Sequence, residues 1–477
     1  MMARLLITPM PFPGHVAPLL PVARTLVARG HEVAWMTGSS YRSRVEATGA
    51  RFVPFRHARD FDEATLAVAF PERERADGFA RLRYDMRAGF IDHGLGQLED
   101  LRDLAASFPF EAVLTDGTCV GPKLHYESGG APWASLNVSP SPYPSRDLAP
   151  YGFGLPPSTS RLGRLRNRLL HAFADRVLFR DVHAHYQDTR WRAGLPCDGQ
   201  TLFEAGASPF LVMNSVPEGF DYPRTDRLPQ DHTVGAILPE PPASFAPPAW
   251  WDELDGSRPV VLVTQGTIAT DARQLIRPTL DALAGEDVLV IATTGGGPIE
   301  AVGLGRIPSN ARVERFVPFA SLLPHVDAMV TNGGLGGVQL ALAHGVPLVV
   351  SGWTEDKPEV GARVERAGAG LRLRRRQLRP DLLRTAVYEV LETPGFREGA
   401  RRLQAEQARH DPPAEVAVLL ERLVATGRPV LRPSAPRPVE APAVSSAWAL
   451  AFESGRSGSP GRRNWAAPPM SAGSPPA

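Results

Sequence analysis

Cysteine is almost missing from this chain: Cys119 and Cys197 are the only two in 477 residues. Two thiols exclude a disulfide scaffold and a cysteine-built zinc cluster. Lysine is as scarce, with Lys123 and Lys357 the only ones among 52 basic residues. The arginine excess reads as the codon bias of a GC-rich genome more than as function. Neither sign of charge dominates. The net charge of +1 provides no global field for nucleic acid or an acidic membrane. Long apolar runs are also lacking. The opening stretch Met1-Met-Ala-Arg-Leu-Leu-Ile-Thr is broken by Thr8 and the prolines after it, so it reads as neither signal peptide nor membrane span. These absences predict a soluble, cytoplasmic protein with no nucleic-acid partner and no stable membrane insertion.

What is present is ordinary globular material: 43% hydrophobic and 22% charged residues, in a chain long enough for two or three domains. The most informative stretch is Thr331-Asn-Gly-Gly-Leu-Gly-Gly-Val-Gln-Leu-Ala-Leu-Ala-His-Gly-Val-Pro347. An apolar run before it reads as a buried strand, and good helix formers follow its four glycines. Such a strand, tight turn and uncovered helix N-terminus suits an anionic, phosphate-bearing ligand.

The same rhythm opens the chain. Arg4–Thr8 is a strand, Pro9-Met-Pro-Phe-Pro-Gly-His15 a loop, Ala17–Arg29 a helix and Glu32–Met36 the next strand. Further strands fit Ala112–Thr115 and Trp133–Val138. After a Pro-rich passage around Leu238–Pro248, strands fit Val260–Thr264, Val288–Ala292, Val313–Phe316, Ala328–Thr331 and Leu348–Ser351. Alternating strands and helices imply parallel sheets with right-handed crossovers. The expected architecture is α/β, with two doubly wound Rossmann-like domains facing a cleft. Residues 1–235 form the first domain, 236–256 a linker, and 257–427 the second domain with its closing helices. Residues 428–477, with ten prolines, form a disordered tail.

Several segments resemble the GT-B glycosyltransferases that decorate small molecules with sugars from nucleotide donors, the bacterial antibiotic- and macrolide-tailoring branch above all. Gly14-His15-Val16-Ala17-Pro18 is similar to their N-terminal loop. Thr331–Pro347, Val349-Val-Ser-Gly-Trp-Thr-Glu-Asp-Lys-Pro358 and Ala362-Arg-Val-Glu-Arg-Ala-Gly-Ala-Gly370 are similar to their donor-binding signature. Val263-Thr-Gln-Gly-Thr267 resembles their phosphate loop, and Phe316-Val-Pro-Phe319 with Leu322-Leu-Pro-His325 their base-binding segment. The chain departs from the family pattern at Asn332, commonly His, and at Gly337, commonly Ser or Thr. It also carries Asp356-Lys357 where Asp-Gln is usual.

The resemblance implies His15 as the general base for an acceptor hydroxyl, a task suited to imidazole. Read alone, His15 is equally a capping or loop histidine. Asp116 follows a strand and is implied to orient His15 by the logic of a catalytic triad; its alternative role is a helix N-cap. Asn332, Gly334, Gly336 and Gly337 are implied to line the diphosphate, with Thr267 adding a hydroxyl or merely capping a helix. Phe316 and Val317 are implied to hold the base by stacking and main-chain bonds, although an aromatic in an apolar run is more often core. Asp356 and Lys357 are implied near the sugar; read alone, they are a solvated loop pair.

Two further features need separate readings. Asp60-Phe61-Asp62 has metal-binding spacing but lies far in sequence from the phosphate loop, and reads as a surface loop. Arg161–Arg180 is basic with apolar residues at Leu162, Leu165, Leu169 and Phe173. It either lies on a membrane or, more commonly for such a helix, buries its apolar side against the fold and roofs the acceptor pocket.

The functional expectation is an inverting transferase moving a sugar from a UDP- or TDP-sugar to a hydroxyl of a lipophilic small molecule. No Glu-x7-Glu pair of the retaining relatives occurs around residues 355–365. No cofactor or metal is expected beyond the nucleotide-sugar co-substrate. The alternatives are a GT-B nucleotide-sugar epimerase and a catalytically idle nucleotide-binding auxiliary protein.

Overall fold

Continuous apolar runs dictate the framework. Strands buried on both faces of a parallel sheet carry apolar side chains throughout, as in β1 (Arg4–Ile7), whose Leu5, Leu6 and Ile7 are all buried. The computed structural model describes residues 2–433, except 63–64, 77, 241–243, 267–270, 298, 300–304, 355 and 376. Its first sheet also contains β2 (Glu32–Thr37), β3 (Arg51–Pro54), β4 (Ala112–Asp116), β5 (Trp133–Asn137), β6 (Leu211–Asn214) and β7 (Asp231–Thr233). The second contains β8 (Val260–Thr264), β9 (Leu289–Thr293), β10 (Ala311–Glu314), β11 (Ala328–Thr331), β12 (Leu348–Val350) and β13 (Gly370–Arg372).

All pairings in both sheets are parallel, in the orders β3-β2-β1-β4-β5-β6-β7 and β10-β9-β8-β11-β12-β13. The strand order reverses between β1 and β4 in the first sheet and between β8 and β11 in the second. Crevices at the carboxyl ends of such strands are where doubly wound folds bind ligands. The expected α/β architecture is therefore observed, with its switch points beside the segments singled out above.

Several local expectations change. The helix expected over Ala17–Arg29 is a single turn, Pro13–Val16, followed by Leu19–Ala28; His15 lies in that turn rather than in an open loop. Leu19, Val22, Ala23 and Leu26 form the buried stripe of the longer helix. β10 lies two residues earlier than expected, which leaves Phe316 outside the strand. The tail is not free from Arg428 onward: Val430 N–H donates to Phe210 O at 2.8 Å, and Arg432 N–H to Pro229 O at 2.9 Å. Most of the expected tail lies outside the described residues.

The closing helices divide between the two sheets. Pro394–Gln407 contributes Ala400 and Leu403 to the core of the second sheet. Pro412–Thr426 returns to the first, where Val416, Ala417, Leu420 and Leu423 pack with Leu19, Val22 and Leu26. Asp411 caps that helix on Ala414 N–H, and Gly427 ends it at φ 59°.

The basic segment folds as the helix Arg161–Phe173, a π-helical turn Ala174–Leu178 and the helix Arg180–Arg192. Its apolar side is not buried against the fold as the commoner reading predicted. Leu162 is 80% exposed, Leu169 61% and Phe173 47%.

Candidate active site

β1 and β4 bring His15 and Asp116 together. His15 follows β1 in the turn Pro13–Val16, and Asp116 is the last residue of β4. His15 Nδ1 lies 3.2 Å from Asp116 Oδ2, although the ring N–H is not aligned on that oxygen. Asp116 is fully buried and well supplied with donors. Met10 N–H donates to Oδ2 at 2.8 Å and Thr118 N–H to Oδ1 at 2.8 Å. The Thr118 hydroxyl also donates to Oδ1. Burial alone would raise this carboxyl's pKa. The charge of His15 and the hydrogen bonds outweigh burial and hold it at about 2. Asp116 is therefore a fixed negative charge behind the imidazole. Nδ1 faces it, leaving Nε2 for any group in the cleft.

Aromatic rings surround that imidazole, and nothing in the sequence marked them. Phe12 lies 5.6 Å and Phe90 6.4 Å from His15 between ring centroids, with Phe61 5.2 Å from Phe12. Phe90 belongs to a π-helical stretch, Asp85–Ile91.

The glycine loop after β11 is a tight turn into the helix Leu335–Ala343, with Gly334 at the N-cap and no side chain capping it. Val338 N–H makes the first intrahelical bond, to Gly334 O. The N–H groups of Leu335, Gly336 and Gly337 precede that first donor and so have no acceptor within the helix. A Cβ on Gly336 would meet nothing within 4 Å, so the surface over the helix end is open. Asn332 is buried, and its amide nitrogen donates to Gln265 O while Gly334 N–H donates to its Oδ1 at 3.3 Å. Asn332 thus ties the loop after β8 to the loop after β11. Thr267 lies outside the described residues.

The loop after β12 closes on the same place. A Cβ on Gly352 would stand 1.9 Å from Asn332 O, so only glycine permits this approach. Asp356 and Lys357 begin the helix Lys357–Arg366. Lys357 is buried, and its Nζ donates to Thr354 Oγ1 at 3.1 Å; burial lowers its ammonium pKa to about 8. Burial pushes the Asp356 carboxyl up to about 6, against the opposing charges of His15 and Arg363. Neither residue is the solvated loop pair of the alternative reading. Phe316 is 73% exposed, whereas Val317 is buried in the second core.

Tyr151 and an interdomain clamp join the site without any signal in the sequence. The Tyr151 hydroxyl is buried, and burial together with the nearby Asp356 charge raises its pKa. Glu359 accepts from Gly152 N–H at 3.0 Å and Gly154 N–H at 2.7 Å. Arg363, itself 1% exposed, bridges Glu359 at 2.7 Å and Asp221 at 2.9 Å. The metal-like pair is spent on turns: Asp60 accepts from Ser39 N–H, and Asp62 from Thr65 N–H.

Two facing crevices, one with a His–Asp pair and one with a glycine-built helix end, carry no family by themselves. Comparison with known proteins supplies it. The chain is 48% identical over 423 residues to 4'-demethylrebeccamycin synthase of Lentzea aerocolonigenes, spanning 88% of this chain and 100% of that protein. It belongs to the natural-product-tailoring glycosyltransferases. Residues 277–423 match the family model described as erythromycin biosynthesis protein CIII-like, C-terminal domain. UDP-glycosyltransferase 2 of Phaeomoniella chlamydospora is 33% identical, covering 87% of this chain and 94% of that one. The structure of the glycosyltransferase VinC in complex with dTDP superposes with a TM-score of 0.62 at 22% identity, over 88% of this chain and 99% of that one. The fold is GT-B, and the enzyme is a glycosyltransferase. Its relatives' names do not favour the epimerase or idle-binder alternatives.

Proposed function

We propose that this glycosyltransferase inverts the anomeric centre of a nucleoside diphosphate sugar, with His15 as base and Asp116 as the group that orients it. The observation that carries this reading is the His15–Asp116 contact at the switch point of the first sheet. Nε2 of His15 takes the acceptor O–H proton as that oxygen attacks the anomeric carbon. The carbon–oxygen bond to the diphosphate breaks, and the nucleoside diphosphate departs with the electron pair. Asp116 stays ionised and favours the imidazolium that forms. The N–H groups at Leu335–Gly337 face the growing negative charge of the leaving group, aided by the helix dipole. Gly334, Gly336 and Gly337 let the phosphates reach the backbone, while Asn332 holds the two loops in register. Thr267, Phe316 and Val317 complete the nucleotide side, and Asp356 and Lys357 the sugar side. The phenylalanines around His15 suit a lipophilic, hydroxylated acceptor. Such a cradle needs no metal, so turnover should survive EDTA.

The test is His15→Ala. Turnover should fall by on the order of 10² to 10⁴ while nucleotide binding, followed by thermal shift with UDP, TDP and GDP, is retained. Undiminished turnover would remove His15 as base. No shift with any of the three nucleotides would remove the donor assignment. The panel also decides between UDP and TDP.

A further inference from the structure

We propose that the helix Arg161–Phe173, with the turn that continues it to Arg180, docks this enzyme onto an anionic lipid surface. The segment is mounted with its apolar side outward. Its exposed residues are Arg161, Leu162, Leu165, Arg168, Leu169, Phe173, Arg176, Val177 and Arg180, which recur at helical spacing along one face. Leu162 and Val177 are 80% and 61% exposed, values for a convex surface rather than a cleft wall.

The inner face is polar and bonded to the body. Arg164 pairs with Asp147 at 2.8 Å, Asn167 donates to Arg146 O at 3.1 Å, and His171 contacts Leu148 O at 3.1 Å. Ser160 caps the N-terminus on Gly163 N–H at 3.0 Å. These bonds fix the rotation of the helix, so the apolar stripe cannot turn inward without breaking a buried polar network.

Charge selects the occupant. The segment 161–180 holds six arginines and one acid, Asp175, which faces His183 at 3.5 Å. None of Arg161, Arg168, Arg176 and Arg180 meets a carboxylate among the described residues. Exposed apolar side chains with unpaired arginines on the same outward face match the acyl and phosphate layers of an anionic leaflet. A second copy is disfavoured, because an isologous contact would set these arginines against each other. Among the described residues, no helix is long and apolar enough to cross a membrane, so contact is with the surface.

The test is sedimentation of the full chain with phosphatidylcholine vesicles, with and without phosphatidylglycerol. Binding should require phosphatidylglycerol and weaken with salt. It should fall by about tenfold or more in Arg168→Glu/Arg176→Glu and in Leu165→Glu/Leu169→Glu, both melting as the parent does. The readout is binding, so it is independent of the base and donor assignments. Three results would each overturn the proposal: no sedimentation with either vesicle, equal sedimentation of the variants, or a dimer in sedimentation velocity that the same substitutions abolish.

Discussion

Two carboxylates in this cleft are pushed in opposite directions, and the difference is one of partners. Asp116 has three donors and an imidazole around it, and its proton is lost readily. Its contribution to stability is present above the unfolded value near 3.8 and is lost as the pH falls toward about 2. Asp356 has burial against it and little to offset that burial, so the folded chain holds its proton up to about 6. Its contribution has the other sign: full below the unfolded value of 3.8 and lost as the pH rises through about 6. Asp356→Asn keeps the shape and removes the ionisation. The variant should melt with the parent at about pH 4 and a few degrees above it at about pH 7.5. Thermal unfolding of the nucleotide-free protein at both pH values checks this, and an equal offset at both would contradict it. At this scale, His15 and Asp116 were legible because the family resemblance singled them out, His15 in the turn after β1 and Asp116 at the end of β4. Tyr151 was not, because its neighbour Asp356 is over two hundred residues away in sequence.

Among the elements, the glycine turn shows how one motif serves two needs. Gly333 has φ 90°, and a Cβ there would stand 2.7 Å from Val350 Cγ1, so this glycine is required by the fold. Gly336 lies in the first helical turn with open space above it, so its glycine is not required by packing. Gly333→Ala should destabilise the protein by about 1–3 kcal/mol. Gly336→Ala should leave it unchanged or more stable by up to about 1 kcal/mol, yet weaken nucleoside diphosphate binding by tenfold or more. Melting temperatures and nucleotide titrations of the two variants read these effects separately. If Gly336→Ala binds as the parent does, the phosphates do not approach that backbone. The apolar strand before the turn and the glycines within it made this element legible. Strands β3, β6, β7 and β13 were not: the edge strands β3, β7 and β13 carry proline, charge or glycine where a central strand carries valine or leucine, and β6 is an inner strand of only four residues. The outward mounting of the helix Arg161–Phe173 was equally hidden, since its amphipathic pattern is the same whichever face meets the body.

The whole molecule is bound together by chain that crosses between its sheets. Arg363 and Glu359, on the second sheet's helix, hold Asp221 and the Gly152–Gly154 turn of the first domain. Phe220 and Val216 lie in the core of the second sheet although they follow β6 of the first. The helix Pro412–Thr426 makes the return crossing, and a reading by sequence order alone assigns it to the wrong sheet, because an amphipathic stripe names no partner. Its Leu423 is fully buried in the core of the first sheet, which also holds Leu26 and Trp35. Leu423→Ala should cost about 2–5 kcal/mol, and the loss should appear in the first domain rather than in the domain that precedes this helix in sequence. Amide exchange should quicken in β1, β4 and β6, whose side chains share that core, and stay unchanged in β8, β9 and β11. Faster exchange confined to the second sheet would mean that the helix acts on its sequence neighbours. Faster exchange in both sheets would mean that they unfold as one unit, coupled through the Arg363 clamp.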